Sequence, residues 1–408
     1  MARLLLTRQV TLPDPVKVER FARAPDLGPR ILFFSGGTAL RDAATDLARY
    51  THNSVHLITP FDSGGSSARL RQAFAMPAVG DLRNRLMALA DRSLHGNPAV
   101  FRLFAFRLPA EGDRAGRAEL ADTLSALAQG RHPLVRAIPD PLRKIVRSHI
   151  GAFIEHAGLQ KEGGFDPRGA SLGNIVLASG YLQNRRHLDP VIFIFSKLVQ
   201  VRGVVRPIAN ADLHLAVKLA DGRVIGGQHR FTGKNGTPPL TARIEDIWLC
   251  RSPDDTAPAD LRLRAKVREL IAMAELVCYP VGSFYSSVIA NLLPSGVGAA
   301  LAATRCPKVF VPNTGSDPEL LGHTLELQVE RLLRHLRNDA PDAISPRDVL
   351  DFMLVDSKGG RYPGGIPRAM LQRLAELGIR VLDCPLVSRQ SAPYIDERLL
   401  NPVLLSLC

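Results

Sequence analysis

Cysteine is scarce in this 408-residue chain, with five residues at positions 250, 278, 306, 384 and 408. They form no C-x-x-C pair and their number is odd, which argues against a disulfide framework or a zinc site and favours a reducing compartment. Aromatic residues make up only 6%, with a single tryptophan, and no RNP-like or finger motif is present, so the common nucleic-acid-reading modules are not expected. Long apolar runs are missing too. The N-terminal MARLLLTRQVTLPDP has three consecutive leucines before an arginine, too few for a signal-peptide core. The charge-free stretch Leu276–Thr304 is interrupted by Pro280, Asn291 and Pro294, so it reads as a buried strand, a loop and a helix start rather than a membrane span. A cytoplasmic protein with no membrane segment is the expectation.

What is present is ordinary globular material and much arginine. Hydrophobic residues are 46% and charged residues 22%, and the 33 glycines and 30 prolines follow no period. That excludes wholesale disorder and collagen and allows a large core. Lysine and arginine number 52 against 39 acidic residues, a formal charge of +13, and 43 of the basic residues are arginines. Such a bias is what a GC-rich genome produces. It is also what a phosphate cleft uses, because a guanidinium binds phosphate bidentately. Acidic residues interrupt the basic ones, so nucleic acid is a poorly matched partner.

Six short apolar runs recur: Ile31–Ser35, Ser54–Thr59, Leu276–Tyr279, Lys308–Val311, Phe352–Val355 and Ile379–Asp383. They are continuous rather than alternating, as strands buried on both faces are. Helical patterns separate most of them, which predicts an α/β fold with a mostly parallel sheet and crossover helices. A helical lobe is expected as an insertion over 85–165, with His95, His132, His149 and His156 forming no metal spacing. LHLAVKL, Asp221-Gly222 and RVIGGQHRF predict a β-hairpin that extends the sheet. Residues 340–408 read as a C-terminal α/β extension of a single 1–408 domain.

Small-residue loops follow the strands. Gly36-Gly37-Thr38 comes after the first, and there Thr38 caps a helix, binds a phosphate oxygen, or does both. Asp62 with Gly64-Gly65-Ser66-Ser67 comes after the second. Asp62 is read as a Mg²⁺ holder or general base, or as a turn or cap residue. Consecutive parallel strands deliver such loops to one crevice. Arg69, Arg83 and Asn84 are candidate clamps for phosphate or hydroxyl groups, whereas Asp81 reads more simply as an N-cap. Ser171 sits in a Gly-x-Ser-x-Gly match with no strand before it, so it reads as a cap or donor rather than a nucleophile. Asn174, the loop around Gly282 and Ser283, and Asn313 complete the set.

Taken in order, Gly36-Gly37-Thr38, Asp62-x-Gly64-Gly65-Ser66-Ser67-x-Arg69, Gly80-Asp81-x-Arg83-Asn84, Ser171-x-Gly173-Asn174, Gly282-Ser283 and Asn313 resemble the CofD-like family. That family includes 2-phospho-L-lactate transferases and YvcK-type gluconeogenesis factors, and the chain looks like a divergent subgroup of it, associated with a GAK gene set. The resemblance implies a Rossmann-like fold and one of two functions. One is transfer of a phosphoryl-linked group from a nucleotide diphosphate donor to an acceptor hydroxyl, such as that of a deazaflavin, with Mg²⁺. The other is non-catalytic binding of a nucleotide sugar. It also implies a possible homodimer, with Asp62 as the catalytic and metal residue and Arg83 stabilising charge. The loop residues and Asn174, Gly282, Ser283 and Asn313 would bind the ligand. Three positions depart from the family pattern: Ala39 for a glycine, Ser63 for a second carboxylate, and Ala170 for a histidine.

Overall fold

The computed structural model describes residues 11–93, 96–110, 116–159, 164–233 and 237–408. The leucines at positions 4–6 and His95 lie outside the described residues. The strands are β1 (Ile31–Ser35), β2 (Val55–Ile58), β3 (Val204–Pro207), β4 (His214–Leu219), β5 (Val224–Gly226), β6 (Ile244–Cys250), β7 (Leu276–Tyr279), β8 (Lys308–Phe310), β9 (Phe352–Val355) and β10 (Arg380–Asp383). Seven of them form one sheet in the order β10-β9-β8-β7-β1-β2-β3, and every neighbouring pair is parallel.

From β1 the chain steps outward through β2 to β3, then returns to lay β7 on the other side of β1. This reversal leaves a crevice beyond the C-terminal ends of β1 and β7, where open α/β sheets bind ligands. The apolar runs are continuous because both sheet faces are covered, except at the edge strand β10, where Arg380 and Asp383 are exposed. Leu32, Phe34, Val277 and Tyr279 belong to the core on one face, and Ile31, Phe33, Leu276 and Cys278 to that on the other. The second face is closed by helices Arg41–Leu47 and Glu397–Leu407. There Asn401 Nδ2 donates to the Ala43 carbonyl and to Asp46 Oδ2, each at 2.9 Å, so the C-terminal segment is built into the domain.

The hairpin forms as the D-G turn predicts, with Gly222 at φ +87°. It does not extend the main sheet, however. With β6 it makes a separate three-stranded antiparallel sheet, β5-β4-β6. Leu215, Val217 and Leu219 of β4 bury themselves in the core under one face of the main sheet, and apolar burial there outweighs pairing at an edge. Between β2 and β3 the described residues are helical from Gly65 to Leu198 and contain no named strand. Leu172–Gln183 runs through the middle of this lobe and is buried over Leu172–Tyr181, as a helix apolar on all sides must be. All five cysteines are free thiols. No described helix is long and apolar enough to cross a membrane.

Two buried imidazoles make stability depend on pH. His56 stacks on Phe33 with centroids 5.0 Å apart, and His335 packs inside helix Leu325–Leu336. Burial drives the His56 pKa well down, helped by the nearby Arg85 charge, and takes His335 to about 4. The unfolded chain binds these protons near pH 6.5 while the folded chain refuses them, so stability is full above that pH and falls as pH drops toward 4. The urea midpoint should therefore be lower at pH 4.5 than at pH 7.5. His335→Gln should flatten that slope, and an unchanged slope would refute the assignment.

Candidate functional site

At the C-terminal edge of β1, β2 and β7 lies a cavity of about 630 Å³, a size typical of small-molecule sites. It gathers loops far apart in sequence. Gly36, Gly37 and Thr38 come from after β1, Asp62 and Gly64 to Ser67 from after β2, and Gly282 and Ser283 from after β7. Arg83, Asn84 and Asn174 come from the helical lobe.

The first glycine loop is held from beneath by a residue that no motif suggested. Arg85 is fully buried. It donates to the Leu40 carbonyl at 2.8 Å, the Gly36 carbonyl at 3.0 Å and Ser35 Oγ at 3.4 Å. Burial lowers its pKa to about 10, opposed by Asp81, so it stays charged at neutral pH. The loop lies tight against the next element, for a side chain at Gly37 would begin 2.7 Å from Asp81 Cα. Thr38 does not cap a helix. Residues 38–41 form a turn in which Arg41 N donates to the Thr38 carbonyl, and the helix starts at Arg41 behind Leu40. Thr38 instead lines the cavity.

Asp62 and Asp81 line the same cavity. Asp62 Oδ1 accepts from Gly64 N at 3.1 Å, so the Asx turn forms and still leaves the carboxylate at the cavity wall. The N-cap expected of Asp81 falls to Val79 instead, because helix Gly80–Ala88 begins two residues earlier than that cap would require. Asp81 thus stands in the first turn against Gly36 and Gly37. A side chain at Gly80 would begin 3.7 Å from Asp62 Oδ2, so this helix start faces the Asp62 loop across the cavity that both acids line.

Ser63 has other partners. Its Oγ lies 2.9 Å from His229 Nδ1 and accepts from His229 N at 3.0 Å, while its own N–H donates to Gln228 Oε1 at 3.3 Å. These bonds draw Gln228 and His229, which follow the hairpin, into the cavity wall. Burial lowers the His229 pKa, aided by Arg230 and opposed by Asp62, so its imidazole is neutral at neutral pH.

Two arginines face the cavity, Arg83 and Arg107. Burial and the charge of Arg107 hold the Arg83 pKa near 10 against the pull of Asp81. Its buried Nε has no hydrogen-bond partner among the described residues. Arg69 does not line this cavity. Its guanidinium is turned toward Gly169, where an added side chain would begin 3.3 Å from Nη2. Ser171 is fully buried and caps helix Leu172–Gln183 by accepting from Asn174 N at 3.2 Å. Asn174 Nδ2 donates to Ser66 Oγ at 3.0 Å, and its Oδ1 is unpartnered among the described residues. Asn313 braces the Gly282 backbone by accepting from its N–H and donating to its carbonyl. It faces an adjoining cavity rather than the main one.

The loop after β7 is less open to an anion than its hydroxyl content suggests. Glu319, fully buried, accepts from the N–H groups of Tyr285 and Ser286 and from Ser286 Oγ, and Asp317 accepts from Phe284 N. Protein carboxylates already take these donors. Arg107, Gln228, His229, Thr232 and Tyr394 also line the cavity; no strand-end glycine loop marks Arg107 or Tyr394, and Gln228 and His229, which follow Gly226-Gly227 at the end of β5, read from sequence as part of the hairpin. Gly37→Ala should cost about 1–3 kcal/mol through overpacking against Asp81, read as a lower urea midpoint. Gly151→Ala, in open space within helix Leu142–Ala157, should instead stabilise by roughly 0.5–1 kcal/mol. A neutral Gly37→Ala would contradict the close approach.

Comparison with known proteins places this geometry in context. The pattern of the family described as 2-phospho-L-lactate transferase CofD matches residues 31–363. The gluconeogenesis factor of Bacillus subtilis is 27% identical over 309 residues, covering 76% of this chain and 75% of that protein. A relative from Nostoc sp. is 28% identical over 332 residues, which is 81% of this chain but 56% of that longer protein. A UPF0052 family member from Bacillus halodurans, solved by crystallography, superposes with a TM-score of 0.65 at 21% identity over 93% of this chain and 99% of that one, which shows the fold. The matched span begins at β1 and runs through the loops after β1, β2 and β7 that line the cavity, so the chain belongs to the CofD family.

Proposed function

We propose that the cavity binds a nucleotide diphosphate-linked donor and that the protein transfers its phosphoryl-linked group to an acceptor hydroxyl, of deazaflavin type or similar. The observation that carries this reading is the meeting of two carboxylates, Asp62 and Asp81, with Arg83, whose buried Nε has no partner among the described residues, around one glycine-lined cavity. Arg83 and Arg107 attract phosphate, while the carboxylates repel it unless a cation intervenes. Mg²⁺ fits this donor set, because it is commonly held by one or two carboxylates completed by substrate phosphates. No group of three or more His, Cys, Asp or Glu among the described residues could hold a metal alone, so Asp62 and Asp81 would hold it jointly with the ligand. When bound, it neutralises charge on the phosphates.

The chain's own contribution then follows from position. The glycine loops bring backbone N–H groups close to the phosphates. Asp62 takes the proton of the acceptor hydroxyl as its oxygen attacks phosphorus. Arg83 stabilises the charge that grows on the phosphoryl oxygens, and the nucleoside monophosphate leaves. A second reading, a nucleotide-sugar-binding regulator without chemistry, is favoured by Ser63, which stands where a second carboxylate is usual and is bonded to His229. The name gluconeogenesis factor carried by relatives supports it too.

A thermal-shift panel of GDP, GTP, UDP-sugars and a deazaflavin, each with and without Mg²⁺, separates the two. A ligand at ~100 times its dissociation constant stabilises by roughly 2.7 kcal/mol. A Mg²⁺-dependent shift with GDP, followed by product formation from a GDP-linked donor and a deazaflavin, supports transfer. A metal-independent shift with a UDP-sugar and no product supports the regulator. Under the transfer reading, Asp62→Ala and Arg83→Ala should lower turnover by about 10²–10³ while weakening binding far less. Equal turnover in Asp62→Ala would sink that mechanism.

A further inference from the structure

Beside the main cavity lies a second one of about 420 Å³. The two share Thr38, Ala39, Val281, Gly282, Ser283 and Tyr394 along their common wall. Their charge differs. The main cavity has Arg83 and Arg107 beside Asp62 and Asp81, whereas the second has Arg41 against Asp42, Asp317 and Glu397. An excess of carboxylates disfavours phosphate, and although Asp317 is taken up by the N–H groups of Phe284 and Glu319, Asp42 and Glu397 offer acceptors to the N–H groups of a heterocycle.

Tyr394 lies beyond residue 363, where the family match ends, yet it reaches both cavities. It is 65% exposed, a large aromatic surface left uncovered at the mouth of a polar site. Its ring rests on Gly315, where a side chain would begin 3.0 Å from Cε1 and 3.2 Å from Cδ1. The segment that carries it is braced. Tyr394 N donates to the Ser391 carbonyl at 2.8 Å and Ser391 Oγ to the Tyr394 carbonyl at 2.7 Å. Asp396 N donates to the Leu386 carbonyl at 2.7 Å, and helix Glu397–Leu407 follows at once. The backbone that carries the ring is therefore held in place before any ligand arrives, which reduces the ordering cost of binding.

We propose that Tyr394 is a stacking face for a flat, N–H-bearing heterocycle that enters the second cavity while the attached or neighbouring phosphates occupy the first. The inference rests on the nucleotide reading of the main cavity. The heterocycle is either the base of the donor or the ring of the acceptor, and stacking would serve both in the same way, since every such ring has a π face.

Isothermal titration of the full chain with GDP, with a phosphate-free deazaflavin and with inorganic pyrophosphate, each in the presence of Mg²⁺, tests it. Tyr394→Ala should weaken GDP or the deazaflavin by at least about fivefold, and whichever weakens identifies the ring. Tyr394→Phe should bind that ligand like the wild type, and pyrophosphate should bind all three proteins alike. Unchanged affinity of Tyr394→Ala for both ring ligands would overturn the stacking role while leaving the nucleotide reading in place. So would an equal loss for pyrophosphate, which would mark a collapsed loop. Failure of the wild type to bind any of the three would overturn the transfer reading of the main cavity and this inference with it.

Discussion

The guanidinium of Arg85 sits under the turn that leaves β1 and bonds the carbonyls of Gly36 and Leu40. A buried cation is costly unless hydrogen-bonded, and while Nε has no partner among the described residues, those carbonyls take its Nη donors. In return they are fixed, and with them the backbone of the first glycine loop. The loop leans on Asp81 at Gly37, and Asp81 in turn favours the charged form of Arg85. The position of one carboxylate and the shape of the main cavity thus depend on a single buried charge lodged where the strand order reverses.

The acids of this molecule divide by what they touch. Asp62 and Asp81 face the cavity, whereas Asp317 and Glu319 turn inward and satisfy the backbone N–H groups that follow Ser283. Anionic side chains thus take up donors that the loop would otherwise present to a ligand. Phosphate recognition is left to the loops after β1 and β2 and to Arg83 and Arg107. Ser63 follows the same logic, since its hydroxyl is bonded to His229 and ties the hairpin region to the wall. The C-terminal segment completes the arrangement, because β9, β10 and helix Glu397–Leu407 close the sheet and carry Tyr394 to the rim.

Much of this was legible in the residues themselves. A strand covered on both faces needs a mostly apolar run, so β1, β2, β7, β8 and β9 announce themselves as continuous runs, whereas β10, at the sheet edge, exposes Arg380 and Asp383. Glycine-rich turns after such runs point to one edge of a parallel sheet, which is why Gly36, Gly37, Asp62, Gly64 and Gly65 could be grouped before any coordinates. The edge strand β3 was hidden. It is four residues long, too short to show a period, and it adjoins a hairpin whose own pattern dominates. The hairpin's placement was equally hidden, because alternation reveals that one face is buried but not against what.

What the sequence by itself determined is the set of local choices: where strands run, where glycine turns interrupt them, and that an Asp-Gly pair reverses the chain. Those choices rest on backbone sterics and on burial, and both act over a few residues. Tertiary structure alone decided which side chains meet. It brought Asp81 to the cavity that Asp62 lines, put Arg107 rather than Arg69 there, bonded His229 to Ser63 across 166 positions, and laid Tyr394 against Gly315. Each of these pairs is joined by the packing of separate elements. Such packing depends on the summed fit of whole faces, which no local pattern of residues encodes.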